Sequence, residues 1–174
     1  MSKIRVVHYI NQFFAGVGGE EQAHIAPELR KELPPISTQL QGKLGEDFEV
    51  VATVVCGDSY FNENLESVQK ELLEMIKGCE PQLFIAGPAF NAGRYGVAAG
   101  TITKAVQDEL HIPAVTAMYE ENPGTDMFKK DVYILETSDS AAGMRKALPK
   151  LAKFATKLAK GEEILSPKEE GYHQ

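Results

Sequence analysis

The sequence predicts a three-layer α/β fold, a mostly parallel five-stranded sheet with helices on both faces in a flavodoxin-like or Rossmann-like arrangement. Three observations predict it. Short β-branched apolar runs recur without alternation, as in strands buried on both faces; amphipathic helical stretches separate them; and the loops rich in glycine, asparagine and acids follow the strands rather than precede them. A chain of 174 residues, 43% hydrophobic and 25% charged, lies in the range of one globular domain. We expect a single α/β domain over residues 1–160 and an extended tail or linker over 161–174.

Residues 4–10 form the first apolar run and predict the first strand. Lys3 and Arg5 ahead of it give a superficial signal-peptide look, but Asn11 and Gln12 interrupt the run and no small-residue cleavage site follows. Between 22 and 44, Pro27, Pro34 and Pro35 break any long helix, so one or two short helices are expected. Residues 48–55 repeat the strand pattern, and 65–77 place Leu65, Val68, Leu72, Leu73 and Ile76 on one helical stripe. Strand 82–86 and helix 97–110 are the next such pair, followed by strands at 114–117 and 132–135. A helix over 140–160 closes the series, with Pro149 expected to kink or split it. Counting only these five strands, the expected spatial order is 2-1-3-4-5.

Composition narrows the function classes. The net charge is −7, and the lysines are not interleaved with aromatics, which argues against nucleic acid as a partner. The two cysteines, Cys56 and Cys79, make no CxxC pair and no cluster at metal-ligand spacing, so neither a disulfide framework nor a metal site is expected, and a reducing cytoplasm is. No apolar run approaches the roughly 20 residues that span a bilayer.

In an open parallel sheet, ligands bind beyond the carboxyl ends of the strands. The strongest single element there is Gly87-Pro88-Ala89-Phe90-Asn91-Ala92-Gly93-Arg94-Tyr95-Gly96. Its glycines allow close approach, the amides of the following helix attract negative charge, and Arg94 can hold a carboxylate or phosphate through two hydrogen bonds. Candidate contacts to a small anionic molecule are Asn11, Gln12, Glu20, Asp58, Asn91, Arg94, Tyr95, Tyr119 and Glu120. Glu20 and Glu21 suit a substrate ammonium or a base, and equally a solvated turn. Asp58, Tyr60, Tyr119 and Glu120 suit polar contacts or proton transfer, and equally capping. Gly16, Gly18 and Gly19 lack the GxGxxG register and the GK[ST] ending of nucleotide loops. Cys56 reads as packing rather than a nucleophile, and His8 as a satisfied core residue, while His24, His111 and His173 have no local partners. No residue is assigned a catalytic role.

These residues also carry a resemblance. The stretch Val6-Val7-His8-Tyr9-Ile10-Asn11-Gln12-Phe13-Phe14-Ala15-Gly16-Val17-Gly18-Gly19-Glu20-Glu21, then Cys56-Gly57-Asp58 with Phe61-Asn62-Glu63-Asn64, then the loop above with Val97 and Ala98, is similar to selenoprotein B of the glycine, sarcosine and betaine reductases. Glu121-Asn122-Pro123-Gly124, Met127-Phe128-Lys129-Lys130-Asp131, Ser140-Ala141-Ala142-Gly143-Met144-Arg145-Lys146 and Glu170-Gly171-Tyr172 continue it. Residues 31–36, around Pro34 and Pro35, and Ala99 depart from the family pattern. The resemblance is to the N-terminal portion only, since family members carry their selenocysteine further on.

The resemblance implies a part in reductive cleavage of the C–N bond of glycine or an N-methylated glycine, giving ammonia or an amine and acetyl phosphate, with electrons from thioredoxin. No cofactor bound directly by this chain is implied. A pyruvoyl group on a partner component B subunit, a selenocysteine outside this chain and selenoprotein A as a further partner are. Self-association stays open, as do a stand-alone paralogue that binds an amino-acid-like ligand without reducing it and flavodoxin-like electron transfer.

Overall fold

A computed structural model describes residues 2–174. The sheet has six strands, β1 (Ile4–Asn11), β2 (Glu28–Arg30), β3 (Phe48–Cys56), β4 (Leu83–Ala86), β5 (Ala114–Met118) and β6 (Tyr133–Glu136), in the order β2-β3-β1-β4-β5-β6. The five predicted strands occupy the predicted order and pair in parallel. The sixth, β2, was not expected. It is a three-residue antiparallel edge strand against β3, half-buried and without an apolar run to betray it.

Helices α1 (Pro35–Leu44) and α6 (Met144–Ala159) cover one face, and α3 (Leu65–Gly78) and α4 (Gly93–Leu110) the other, with short helices α2 (Asp58–Glu63) and α5 (Pro123–Phe128) beside α4. Successive residues of β1 serve opposite faces. Val7 and Tyr9 join the α3/α4 core, whereas Val6 joins the α1/α6 core. Between 22 and 44 the one α-helix is α1, with Pro35 at its start, where a proline's fixed φ and missing N–H suit a helix rather than break one.

Helix α6 runs unbroken through Pro149, so the expected split does not occur there. One hydrogen bond is lost, but the stripe of Ala147, Leu148, Leu151, Ala152, Phe154 and Ala155 stays buried against the sheet and outweighs it. The segment 161–174 is not an extended arm either. It holds a short helix, α7 (Pro167–Glu170), and then docks on β6: the amide of Glu136 donates to Gly171 O at 2.8 Å and that of His173 to Ile134 O at 2.8 Å. Tyr172 packs edge-on against Tyr133 at 4.9 Å, and His173, buried, is hydrogen-bonded through Nε2 to Met118 O at 2.8 Å. Among the described residues, no helix is long and apolar enough to cross a membrane.

Candidate functional site

The sheet order reverses its direction of growth between β1 and β4, because the connection from β1 leads toward β3 on one side and β4 lies on the other. The carboxyl ends of these strands diverge into loops there, leaving a crevice. A cleft of about 340 Å³ occupies it, lined from the β1 loop by Asn11, Gln12, Phe13, Phe14, Gly19 and Glu20, from the β4 loop by residues 89–92, and from the β6 loop by residues 139–141. Its size suits a small molecule. A larger groove of about 750 Å³ runs along α3 and α4 on the helical face, among Glu66, Lys70, Lys104 and Phe128, and carries none of the candidate residues.

The β4 loop is held from several sides. Ala89 N donates to Ala117 O at 2.9 Å and Asn91 N to Asp139 O at 3.2 Å, which ties the β4 loop to the β5 and β6 ends. Phe90 adopts φ +50°, a left-handed conformation that a bulky residue takes only when its surroundings fix it. The fixing group is the buried Asn122, which is not among the candidate contacts read from the sequence. Its Nδ2 donates to Phe90 O at 2.9 Å and to Ala92 O at 3.1 Å, while its Oδ1 accepts from Gly124 N at 2.9 Å and caps α5. Gly96 is required by that contact, since a Cβ there would lie 2.0 Å from Asn122 Oδ1. The Asn-Pro-Gly that begins α5 was the available signal, because Asn before Pro at a helix start marks a cap.

At the edge of the cleft α4 begins with no side-chain cap, leaving the first-turn amides of Gly93, Arg94 and Tyr95 without intrahelical partners. The Arg94 guanidinium donates to the Glu20 carboxylate and to Ser59 Oγ, and the Glu20 contact holds its pKa above the usual arginine range. Thus the cation expected to be free for a ligand already carries a carboxylate of the chain itself. Ser59, on α2, was missed as a partner. The backbone of Arg94 is braced as well, its carbonyl accepting from Asn62 Nδ2 at 3.0 Å.

Asp58 stands behind this pair at the first turn of α2. Its Oδ2 accepts from Asn11 Nδ2 at 3.0 Å, and its backbone N donates to Gln12 Oε1 at 3.1 Å, so two side chains of the cleft floor are oriented by one buried acid. Burial raises the Asp58 pKa, and the Asn11 and Gln12 side chains and the Arg94 charge oppose the rise. Tyr95 is fully buried beneath the floor rather than on the cleft wall.

The structure therefore gathers Asn11, Gln12, Glu20, Asp58, Asn91 and Arg94. Tyr119 and Glu120 stand apart from them. Tyr119 Oη donates to Glu121 at 3.2 Å, its backbone holds Phe90 and Thr125, and neither residue lines the cleft. Both cysteines are buried and free, with the Cys56 thiol pushed up to about 12 by burial and by the neighbouring Asp58. Neither is suited to act as a thiolate. Among the described residues, no group of three or more His, Cys, Asp or Glu is placed to hold a metal ion.

A doubly wound α/β domain with a small cleft at its switch point is the class that fold and site define. Residues 3–174 match the family model described as glycine/sarcosine/betaine reductase selenoprotein B, and the chain belongs to that family. It is 74% identical over 172 residues to the glycine reductase complex component B subunit gamma of Peptoclostridium litorale, covering 99% of this chain and 39% of that protein. It is 60% identical over 173 residues to the sarcosine reductase complex component B subunit beta of Peptoclostridium acidaminophilum (99% and 40%). It is 40% identical over 168 residues to the betaine reductase complex component B subunit beta of the same organism (97% and 38%). The chain thus spans about two fifths of the length of the curated relatives it matches. No solved structure matches it significantly.

Proposed function

We propose that this chain supplies the N-terminal, substrate-holding part of a component B subunit, and that its cleft receives the carboxylate of glycine or of an N-methylated glycine. The observation that carries this reading is the Glu20 carboxylate seated on Arg94 beside the uncapped start of α4. A guanidinium that accepts a carboxylate from the chain has the geometry to accept one from a ligand, once Glu20 yields. Asn11, Gln12 and Asn91, which line the cleft, would orient the rest of a molecule this small.

In the assembled complex the substrate C–N bond would be cleaved reductively. The amine would leave as ammonia or a methylated amine, and the two-carbon unit would combine with inorganic phosphate to end as acetyl phosphate, with two electrons drawn from thioredoxin. The pyruvoyl group of a partner component B subunit would activate the amine, and a selenol outside these residues and selenoprotein A would carry the two-carbon unit. Both thiols here are buried and disfavour the thiolate, which fits a division in which this part binds and the reducing groups come from elsewhere. A cytoplasmic location belongs to the same reading.

The test is Arg94→Ala in the assembled complex. Loss of a charged hydrogen-bond pair should raise KM for glycine by about 10- to 100-fold, and Arg94→Lys should restore part of it. A KM within about twofold of wild type would remove Arg94 from the site.

A further inference from the structure

Three polar atoms beneath the cleft floor, on β1, α2 and α4, have no protein hydrogen-bond partner: Tyr9 Oη, Asp58 Oδ1 and Tyr95 Oη. Their residues are 0%, 7% and 0% exposed, so bulk water does not serve them. They form one cluster. The Tyr9 and Tyr95 ring centroids are 6.2 Å apart, with Phe61 edge-on to Tyr9 at 6.0 Å and Phe14 6.0 Å from Tyr95. Asp58 lies close enough for its charge to raise the pKa of both phenols, which burial already holds high, so both hydroxyls keep their protons.

Two neutral hydroxyls beside a carboxylate would ordinarily bond to it directly, yet none of the three reaches another. The Asn11 backbone amide draws on Tyr95 electrostatically but falls outside hydrogen-bond geometry. Buried polar groups in native proteins are nearly always paired, and a water molecule, with two donors and two acceptors, can complete three that packed neighbours leave unbonded. The opposite oxygen of Asp58 and its backbone N hold Asn11 and Gln12 at the cleft. Whatever holds Oδ1 therefore fixes the carboxyl that orients Asn11.

We infer that Tyr9, Asp58 and Tyr95 hold one buried water molecule, and that this bridge makes the two tyrosines positioning residues for Asn11. The consequence for ligand binding rests on the reading that the cleft takes a carboxylate, whereas the bridge does not.

A crystal structure with ordered solvent should show one density peak about 2.6–3.2 Å from all three atoms, and a direct bond among them or a dry gap overturns the bridge. Tyr9→Phe and Tyr95→Phe should each lower the melting temperature by about 2–4 °C, and the double variant by less than the two together. An unchanged or raised melting temperature in either single variant means that its hydroxyl held nothing, and also overturns the bridge. The positioning role is read from the side-chain amide resonances of Asn11. They should shift in Tyr95→Phe while the His8 ring signals stay in place, and unshifted Asn11 signals overturn it. None of these measurements needs a ligand, so a failure of the wild-type cleft to bind glycine would defeat the proposed function and leave the bridge standing.

Discussion

His8 and Tyr9 are neighbours on β1 that point to opposite faces of the sheet, and each enters a buried polar network of a different kind. On the α1 face the network is a closed chain: Thr53 Oγ1 donates to Ser37 Oγ at 2.7 Å, Ser37 is paired with His8 Nδ1 at 2.8 Å, and His8 Nε2 with Gly87 O at 2.8 Å. Because a carbonyl can only accept, Nε2 carries the proton and Nδ1 accepts from Ser37, which leaves every member satisfied. On the α4 face, Tyr9, Asp58 and Tyr95 are not satisfied by protein groups at all. The closed network anchors the start of the β4 loop at Gly87, and the open one lies under Asn11 and Gln12. The difference separates polar groups that hold the backbone from polar groups that serve the cleft.

The largest expected effect is on the closed side. His8→Leu strands Ser37 and the Gly87 carbonyl in the core and should cost about 3 kcal/mol in urea unfolding; a loss below about 1 kcal/mol would mean that the chain of bonds is dispensable. Acid should act through the same residue. Burial lowers the His8 pKa from 6.5 to about 4, with the Gly87 carbonyl opposing. The folded pKa is depressed, so the unfolded state takes up the proton first. Stability is intact above about pH 6.5 and should fall by about 3 kcal/mol on reaching pH 4. His8→Gln should flatten this slope, and a wild-type profile without it would deny the burial.

Asp58 has the opposite sign. Its folded pKa is raised, so its contribution is greatest in acid and declines as pH rises through that value. Asp58→Asn, which keeps an acceptor for Asn11, should therefore gain on wild type as the pH rises above the ordinary carboxyl range, by a smaller amount than the His8 effect. Equal profiles for the two chains would show an exposed carboxyl. The smallest effect concerns Glu20. Removing an exposed competitor for Arg94 by Glu20→Gln should tighten glycine binding about two- to fivefold by calorimetry, and weakened binding would make Glu20 a ligand contact instead.

Much of this architecture is legible in the sequence because parallel strands buried on both faces announce themselves as apolar runs. The five such runs gave the sheet order, and the rule that ligands gather at strand carboxyl ends located the cleft. What stayed hidden depends on contacts between distant residues. Strand β2 is Glu28-Leu29-Arg30, polar enough to pass for a loop, and exists because β3 offers an unpaired edge. The docking of Tyr172 on Tyr133 and Phe154 joins elements that no local pattern links. Within the site, residue types and loops were readable, but pairings were not. Nothing in the order of residues says that Glu20 neutralises Arg94, that Tyr95 turns inward, that Tyr119 and Glu120 stay outside, or that Asn122 holds the β4 loop.

The central claim is that a ligand carboxylate takes the place of Glu20 on Arg94. Titration of glycine into the 15N-labelled chain, observed at the Arg94 Nε resonance, tests it most directly. Saturable shifts at Arg94 Nε and at the side-chain amides of Gln12 and Asn91, absent in Arg94→Ala, are the predicted result. An Arg94 resonance that stays fixed at saturating glycine, or shifts of Gln12 and Asn91 that persist in Arg94→Ala, would contradict it.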